Sequence, residues 1–151
     1  MTFEYYHVME RINMNVFVTG GSGWIDRYVV QVLLEQGHEV LSVDLSPPLS
    51  DGQNTRASLT RYMTDVRHLT VDVMDPEQVY QAVAEAVIHL AAWPNPGLAT
   101  DTRTYGDNVQ GTFNIFQACK DSGVRRILSA SSSQVYGYQP CYHWSESERH
   151  L

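Results

Sequence analysis

Eleven residues, Val16-Phe-Val-Thr-Gly-Gly-Ser-Gly-Trp-Ile-Asp26, constrain what this chain can fold into more than any other stretch. Asn15 to Val18 is a short apolar run that reads as a buried strand. Thr19 to Gly23 breaks it sharply, and Trp24 to Gln36 carries apolar residues at helical spacing, at Ile25, Val29, Val32 and Leu33. Strand, glycine turn and helix in that order suit the cradling of phosphates. Gly20 lets the chain turn tightly, Gly23 lets the backbone approach a pyrophosphate, and the helix start turns free N–H groups and a positive dipole toward the anion. A second strand, Glu39 to Val43, ends in Asp44, 24 residues after Gly20. An acid at that spacing suits the diol of an adenosine ribose.

Asp26 departs from this pattern, because it stands where a third small residue lets the helix pack closely on the first strand. A carboxylate in the first helical turn suits the helix dipole, but it would repel a bound pyrophosphate. Two readings stay open: an acid turned outward at the helix start, or a weakened anion site.

The 151 residues suit one domain, long enough to bury about 68–70% of the unfolded surface. The net charge is −7, from nine Arg, one Lys (Lys120) and 17 acids, with no basic stripe or tail. Nucleic acid and anionic membrane are therefore poor partners, and an anionic ligand would depend on local backbone donors. No apolar run reaches the length of a membrane span, and Glu4 to His7 stand where an export signal needs an apolar core. Cys119 and Cys141 have no metal-site spacing and make no disulfide framework. The expected compartment is the cytoplasm.

Residues 1–13 read as an N-terminal extension, residues 14–137 as the folded domain, and residues 138–151 as a tail without assignable period. Gln36-Gly37-His38 stops the first helix, with His38 facing solvent. Leu45 to Asp65 is a long polar connection, either a loop over one end of a ligand or an excursion, with at most a short helix around Ala57 to Met63. Val66 to Val71 reads as a third strand. Asp75-Pro76 caps a helix to about Glu85 with Val79, Tyr80 and Val83 inward. Ala86 to Leu90 is a continuous apolar strand of the kind parallel sheets bury on both faces, leading into the loop Ala91 to Gly97. Thr100 to Asp121 is the longest helical segment, with Tyr105, Val109, Thr112, Phe113, Phe116 and Ala118 as apolar positions, stopped by Ser122-Gly123. Arg126 to Ser131 is a fifth strand.

Strands alternating with helices predict a doubly wound parallel α/β sheet in the order 3-2-1-4-5. Ligands in such sheets sit at the carboxyl ends of the strands, where the order reverses. Gly20 to Ile25, Asp44, Asp72, Ala91 to Pro94 and Ser131 to Ser133 all fall on that edge.

Four motifs in sequence, Thr19-Gly-Gly-Ser-Gly-Trp-Ile25, Val87-Ile-His-Leu-Ala-Ala92, Asn108-Val-Gln-Gly-Thr112 and Ala130-Ser-Ser-Ser-Gln-Val-Tyr-Gly137, resemble the extended short-chain dehydrogenase/reductases. The nearest branch is the NAD-dependent epimerase/dehydratase group that includes UDP-glucose 4-epimerase. The resemblance covers Asn15 to Gly137. It implies a Rossmann fold, NAD as cofactor, a nucleotide-sugar substrate in the complete protein, and hydride transfer at a sugar hydroxyl or carbonyl. By position it implies that Gly20, Gly23, Trp24 and Ile25 meet the pyrophosphate. Asp44 takes the adenosine ribose, which favours NAD over NADP. Asp72 and Val73 contact the adenine, Leu90, Ala91, Ala92 and Trp93 line the middle of the cofactor, and Asn108 braces the inner loop. Ser132, four residues before Tyr136, matches the family's catalytic serine or threonine. Plainer readings stand beside these: Asp72 as a strand-end turn acid, His89 as a packed strand histidine, Asn108 as a cap on backbone groups.

The family's acid/base tyrosine is followed four residues later by a lysine that lowers its pKa. No such pair occurs here: Phe116 precedes Lys120 by four, and Pro140 and Glu146 follow Tyr136 and Tyr142 by four. The resemblance places the pair past Leu151, with the last strands and the substrate-binding region. The chain is therefore expected to be the NAD-binding portion of an epimerase- or dehydratase-like oxidoreductase, inactive alone. The alternatives are a non-catalytic NAD-sensing or scaffold module and a degenerate chain that binds nothing. A fifth strand left as an edge predicts self-association, and the long helix is one of the pair through which the family's homodimers form.

Overall fold

The computed structural model describes residues 13–23, 25–46, 66–95, 97–132 and 135. Residues 1–12 of the N-terminal extension, Trp24, most of the long connection and the tail lie outside the described residues. The described residues form β1 (Asn15–Thr19), α1 (Asp26–Glu35), β2 (Glu39–Asp44), β3 (Arg67–Thr70), α2 (Pro76–Ala82), β4 (Ala86–His89), α3 (Asp101–Tyr105), a π-helical segment (Gly106–Gln110), α4 (Gly111–Asp121) and β5 (Arg126–Ser129). All strand pairs are parallel, in the order β3-β2-β1-β4-β5. This is the doubly wound sheet expected, and it reverses between β1 and β4.

Alternation along β1 divides the core between the two faces of the sheet. Phe17 lies between Leu41 of β2 and Val87 of β4, and it packs with Val79 of α2 and Ile115, Ala118 and Cys119 of α4. Val16 and Val18 face the other way, onto Val30 of α1. Both helix stops have one bonding pattern. The Gly37 and His38 N–H groups donate to Leu34 and Leu33 carbonyls, and those of Gly123 and Val124 to Lys120 and Cys119. The two reversed bonds satisfy carbonyls that a helix end leaves orphaned. Asp75 caps α2 by accepting from Glu77 and Gln78 N–H, which is why a proline is tolerated directly after it.

Several side chains face otherwise than their spacing suggests. On α1, Val30 is the fully buried residue, whereas Ile25 and Val32 are exposed. Tyr80 points outward and its hydroxyl bonds Asp121. His38 is half-buried, its Nδ1 accepting the Met14 N–H at 3.3 Å. The largest shift is on the long helix. Gly106–Gln110 adopts a π-helical turn, which advances the phase of everything after it. Gly111, Ile115, Ala118 and Cys119 therefore face the sheet, while Tyr105, Val109, Phe113 and Phe116 are exposed. Gly111 is required at that contact, because a Cβ there would stand 2.6 Å from the Val73 Cγ2.

Candidate functional site

At the end of β1 the chain turns through Gly20 at φ +78°. The Gly23 N–H closes the turn on the Gly20 carbonyl at 2.8 Å, and the Gly21 N–H donates to Val43 at 3.0 Å. The loop is thus tied to β2, and the tie continues through Asp44. One Asp44 oxygen accepts the Ser22 N–H at 3.1 Å and the other the Ser46 N–H at 3.2 Å. Ser22 Oγ donates to the Ser46 carbonyl at 2.8 Å. The Asp44 carboxylate therefore fixes two loops at the strand ends and lines the space between them.

On the β4 side, a buried chain of hydrogen bonds determines its own proton positions. Thr112 Oγ donates to the Asn108 carbonyl at 2.6 Å, so it must accept from His89 Nε2 at 2.9 Å. His89 is then the neutral Nε2–H tautomer, and its Nδ1 accepts from Thr19 Oγ at 2.7 Å. Thr19 Oγ in turn accepts the Leu90 and Ala91 N–H groups, both at 3.2 Å. Burial lowers the His89 pKa to about 4, which keeps this arrangement neutral. His89 is thus the packed strand histidine. The network joins β1, β4 and the π-helical segment, and it aims the Ala91 backbone at Gly20.

Trp93 continues that loop. Asn108 grips its backbone twice: the amide oxygen accepts the Trp93 N–H at 2.8 Å and the amide nitrogen donates to the carbonyl at 3.1 Å. The indole N–H donates to Asp107 at 2.6 Å, and Arg103 pairs with the same Asp107 oxygen at 3.2 Å. The Arg103 guanidinium lies 5.7 Å from the Trp93 ring centroid, a cation–π distance. Arg103, Asp107 and Thr19 carry no site role in the sequence reading, and Thr112 figures there only as an apolar helix position and the end of a motif. The spacing of Arg103 and Asp107 was visible, but only loop closure brings Trp93 beside them.

These walls enclose a cavity of about 580 Å³, within the usual size of small-molecule sites. It is lined by Gly20, Ser22 and Gly23, by Asp44, by Val71 and Val73, and by Leu90, Ala91, Ala92 and Trp93, with Asp26, Arg103 and Asp107 as further charged groups. Four other expected residues are not in its lining. Ile25 is 65% exposed at the outer side of the helix start. Asp72 accepts the Met74 N–H at 2.9 Å, as a turn acid does. Asn108 stands behind Trp93. Ser132 is exposed beyond β5, its carbonyl accepting the Val135 N–H at 3.1 Å. Trp24 lies outside the described residues.

Asp26 corrects the outward reading. Its side chain is only 7% exposed and lines the cavity, and its Oδ1 is buried without a hydrogen-bond partner. A Cβ on Gly23 would collide with its Oδ2. Burial pushes its carboxyl up to about 6, its own backbone N–H opposes this, and the charge of Asp44 adds to the rise. The helix start that should offer positive potential thus faces a carboxylate of its own chain. The cradle otherwise fits a dinucleotide: a Cβ on Gly20 would meet the Ala91 nitrogen at 2.8 Å, so only a glycine lets β1 turn this close to the Ala91 loop.

Comparison with known proteins agrees with this architecture. The sequence profile of the NAD dependent epimerase/dehydratase family matches residues 16–149. UDP-glucose 4-epimerase of Bacillus subtilis is 34% identical over 82% of this chain and 38% of its own length. A UDP-glucose 4-epimerase sequence of Klebsiella pneumoniae is 32% identical over 89% of this chain and 100% of its own length. A 3beta-hydroxysteroid-dehydrogenase/decarboxylase of Arabidopsis thaliana is 36% identical over 78% of this chain and 22% of its own. Among solved structures, UDP-glucose-4-epimerase from Stenotrophomonas maltophila, with bound NAD and formylated UDP-arabinopyranose, superposes with a TM-score of 0.69 at 29% identity, covering 89% of this chain and 42% of that one. The Brucella ovis UDP-glucose 4-epimerase in complex with NAD also gives 0.69, at 27% identity, over 91% of this chain and 41% of that one. The chain spans less than half of both solved relatives. On the match across residues 16–149, the chain belongs to the NAD dependent epimerase/dehydratase family.

Proposed function

We propose that this chain is the NAD-binding portion of a nucleotide-sugar epimerase- or dehydratase-like oxidoreductase. The observation that supports this best is the cavity at the point where the sheet order reverses, floored by glycine backbone and edged by Asp44. Gly20 and Gly23 would admit the pyrophosphate, with the Trp24 and Ile25 N–H groups as donors. Asp44, held rigid by Ser22 and Ser46, would take the ribose hydroxyls. Val73, with Asp72 beside it, would meet the adenine. Leu90, Ala91, Ala92 and Trp93 would line the middle of the cofactor, positioned by Asn108. Ser132 would hydrogen-bond the reacting oxygen of the substrate. Bound NAD would supply a hydride acceptor and donor at a sugar carbon. These 151 residues hold no Tyr-x-x-x-Lys pair to exchange the accompanying proton, so we expect no turnover from this chain alone.

Calorimetric titration tests the cofactor assignment. NAD+ should bind saturably and NADP+ at least roughly tenfold more weakly, since a 2′-phosphate would meet the Asp44 carboxylate at short range. Asp44→Asn keeps the side-chain shape, removes the charge and should narrow that preference. Equal binding of the two dinucleotides would overturn the Asp44 role. A second reading of the same cavity is a non-catalytic NAD-sensing or scaffold module. The coding sequence separates the two: an in-frame continuation carrying the pair supports the enzyme, and a stop codon directly after Leu151 supports the module.

Self-association belongs to the same proposal. Among the described residues β5 pairs only with β4, and Leu128 on β5 is 61% exposed. Where such a strand edge stays uncovered, it recruits other chains. Light scattering should show mass rising with concentration; a monomer at every concentration would contradict it.

A further inference from the structure

Asp26 opens α1, a helix of ten residues, at the point where such helices present bare N–H groups to an anion. Asp26 is 7% exposed, its carboxyl turned into the cradle with Oδ1 buried and unpartnered and Oδ2 against Gly23. A buried oxygen without a partner costs free energy in the empty site, and an ionised one is worst placed of all beside an entering phosphate. The charged groups around it bring no relief. From β2, Asp44 is a second carboxylate, its oxygens taken by Ser22 and Ser46 N–H. From α3 and the π-helical segment, Arg103 and Asp107 face the cavity paired to each other. From β4, His89 is neutral and turned into the Thr19 and Thr112 bonds. On its own helix Arg27 follows it and makes an interaction, yet burial and the charge of Asp44 still raise the Asp26 carboxyl.

We propose that Asp26 makes dinucleotide binding at this cradle proton-linked: the pyrophosphate enters with uptake of one proton from solvent, and the protonated carboxyl then donates a hydrogen bond to a phosphate oxygen. The inference rests on the dinucleotide reading of the cavity. Protonation turns the one repulsive group at the helix start into a donor and supplies the partner that Oδ1 lacks. The bound phosphates carry negative charge, so they raise the Asp26 pKa above its value of about 6 in the free chain. Affinity is then constant below about pH 6, where both states carry the proton, and falls by up to about tenfold per pH unit above it. The pyrophosphate itself stays ionised throughout this range, so the slope reports the protein.

The test is calorimetry with NAD+ on the whole 151-residue chain at several pH values between about 6 and 8, repeated at one pH in two buffers of different ionisation enthalpy. The expected result is binding at least roughly tenfold tighter at the acidic end, with a heat difference between buffers equal to about one proton taken up. Asp26→Gly should bind tightly with no pH slope and equal heats in both buffers. Asp26→Asn, which keeps the side-chain volume, should also lose the slope, and circular dichroism shows that each variant is folded. A wild-type chain that binds equally across the range without proton uptake overturns the inference, as does Asp26→Gly retaining the slope. Failure of wild type and both folded variants to bind NAD+ at any pH overturns the dinucleotide reading itself, and the inference with it.

Discussion

Gly20→Ala is expected to destabilise the chain by about 3–5 kcal/mol, a large fraction of the roughly 5–15 kcal/mol that holds an ordinary domain folded. Two costs combine at this position. The backbone sits at φ +78°, where a side chain costs roughly 1–2 kcal/mol. The added Cβ would also lie 2.8 Å from the Ala91 nitrogen, 2.9 Å from its Cα and 3.1 Å from the Leu90 carbonyl carbon. All three are backbone atoms, so no flexible side chain can move aside. Relief would have to come from pushing Ala91 away from β1, which breaks the Thr19 bonds to the Leu90 and Ala91 N–H groups and strains the His89 network behind them. Gly97→Ala is the control. Its φ is +82° and nothing lies within 4 Å of the new Cβ, so only the backbone cost of roughly 1–2 kcal/mol applies. Urea denaturation compares the two directly. Equal losses for both variants would mean that the Gly20–Ala91 contact does not hold the cradle.

Asp26→Ala is expected to stabilise the chain at neutral pH, by about 1–3 kcal/mol. The folded Asp26 carboxyl titrates near 6 against an ordinary value of 3.8, so between these values the folded state binds the extra proton. Its favourable contribution is complete below about pH 4 and is lost as pH rises through about 6. At pH 7.5 the ionised carboxylate is a burden on the fold, partly offset by a favourable interaction with the helix dipole of roughly 0.3–1 kcal/mol. His89 acts oppositely. Its folded pKa is lowered from 6.5 to about 4, so its contribution is full above the ordinary value and is lost as pH falls toward 4. In the wild-type chain the two slopes largely cancel between about pH 4 and pH 6. Removing Asp26 exposes the His89 slope alone. Thermal denaturation across this range should therefore show a nearly level wild-type midpoint, and a variant that starts higher at pH 7.5 and loses its advantage near pH 4. Parallel curves for the two proteins would contradict the buried, cradle-facing placement of Asp26.

The parts of this structure that were legible in the sequence are those that one strand or one turn decides alone. Val16 to Val18 and Ala86 to Ile88 are continuous apolar runs because both faces of a parallel strand are covered. Gly20 and Gly23 announce a backbone approach, and Asp44 is readable because an acid ending β2 must face the same edge as the glycine loop. What stayed hidden depends on phase and on closure. The π-helical turn at Gly106–Gln110 moves Phe113 and Phe116 off the sheet and brings Ile115 and Cys119 onto it, and no residue there signals the extra backbone step. Asp26 could sit inside or outside until the helix axis was known. The Arg103–Asp107 pair is four residues apart, but only loop closure brings Trp93 beside it, and the Thr19–His89–Thr112 chain joins residues far apart in sequence.

On the proposed function, the glycine loop, Asp44 and the Ala91 loop would form one dinucleotide site. Nuclear magnetic resonance of the 15N-labelled chain, titrated with NAD+ near pH 6, tests it most directly. Saturable shifts are expected to cluster at the backbone amides of Gly20 to Gly23, Asp44 to Ser46 and Leu90 to Trp93, with little change along the exposed face of α1 or on β5. Saturable shifts centred elsewhere, or a spectrum unchanged by NAD+, would contradict it.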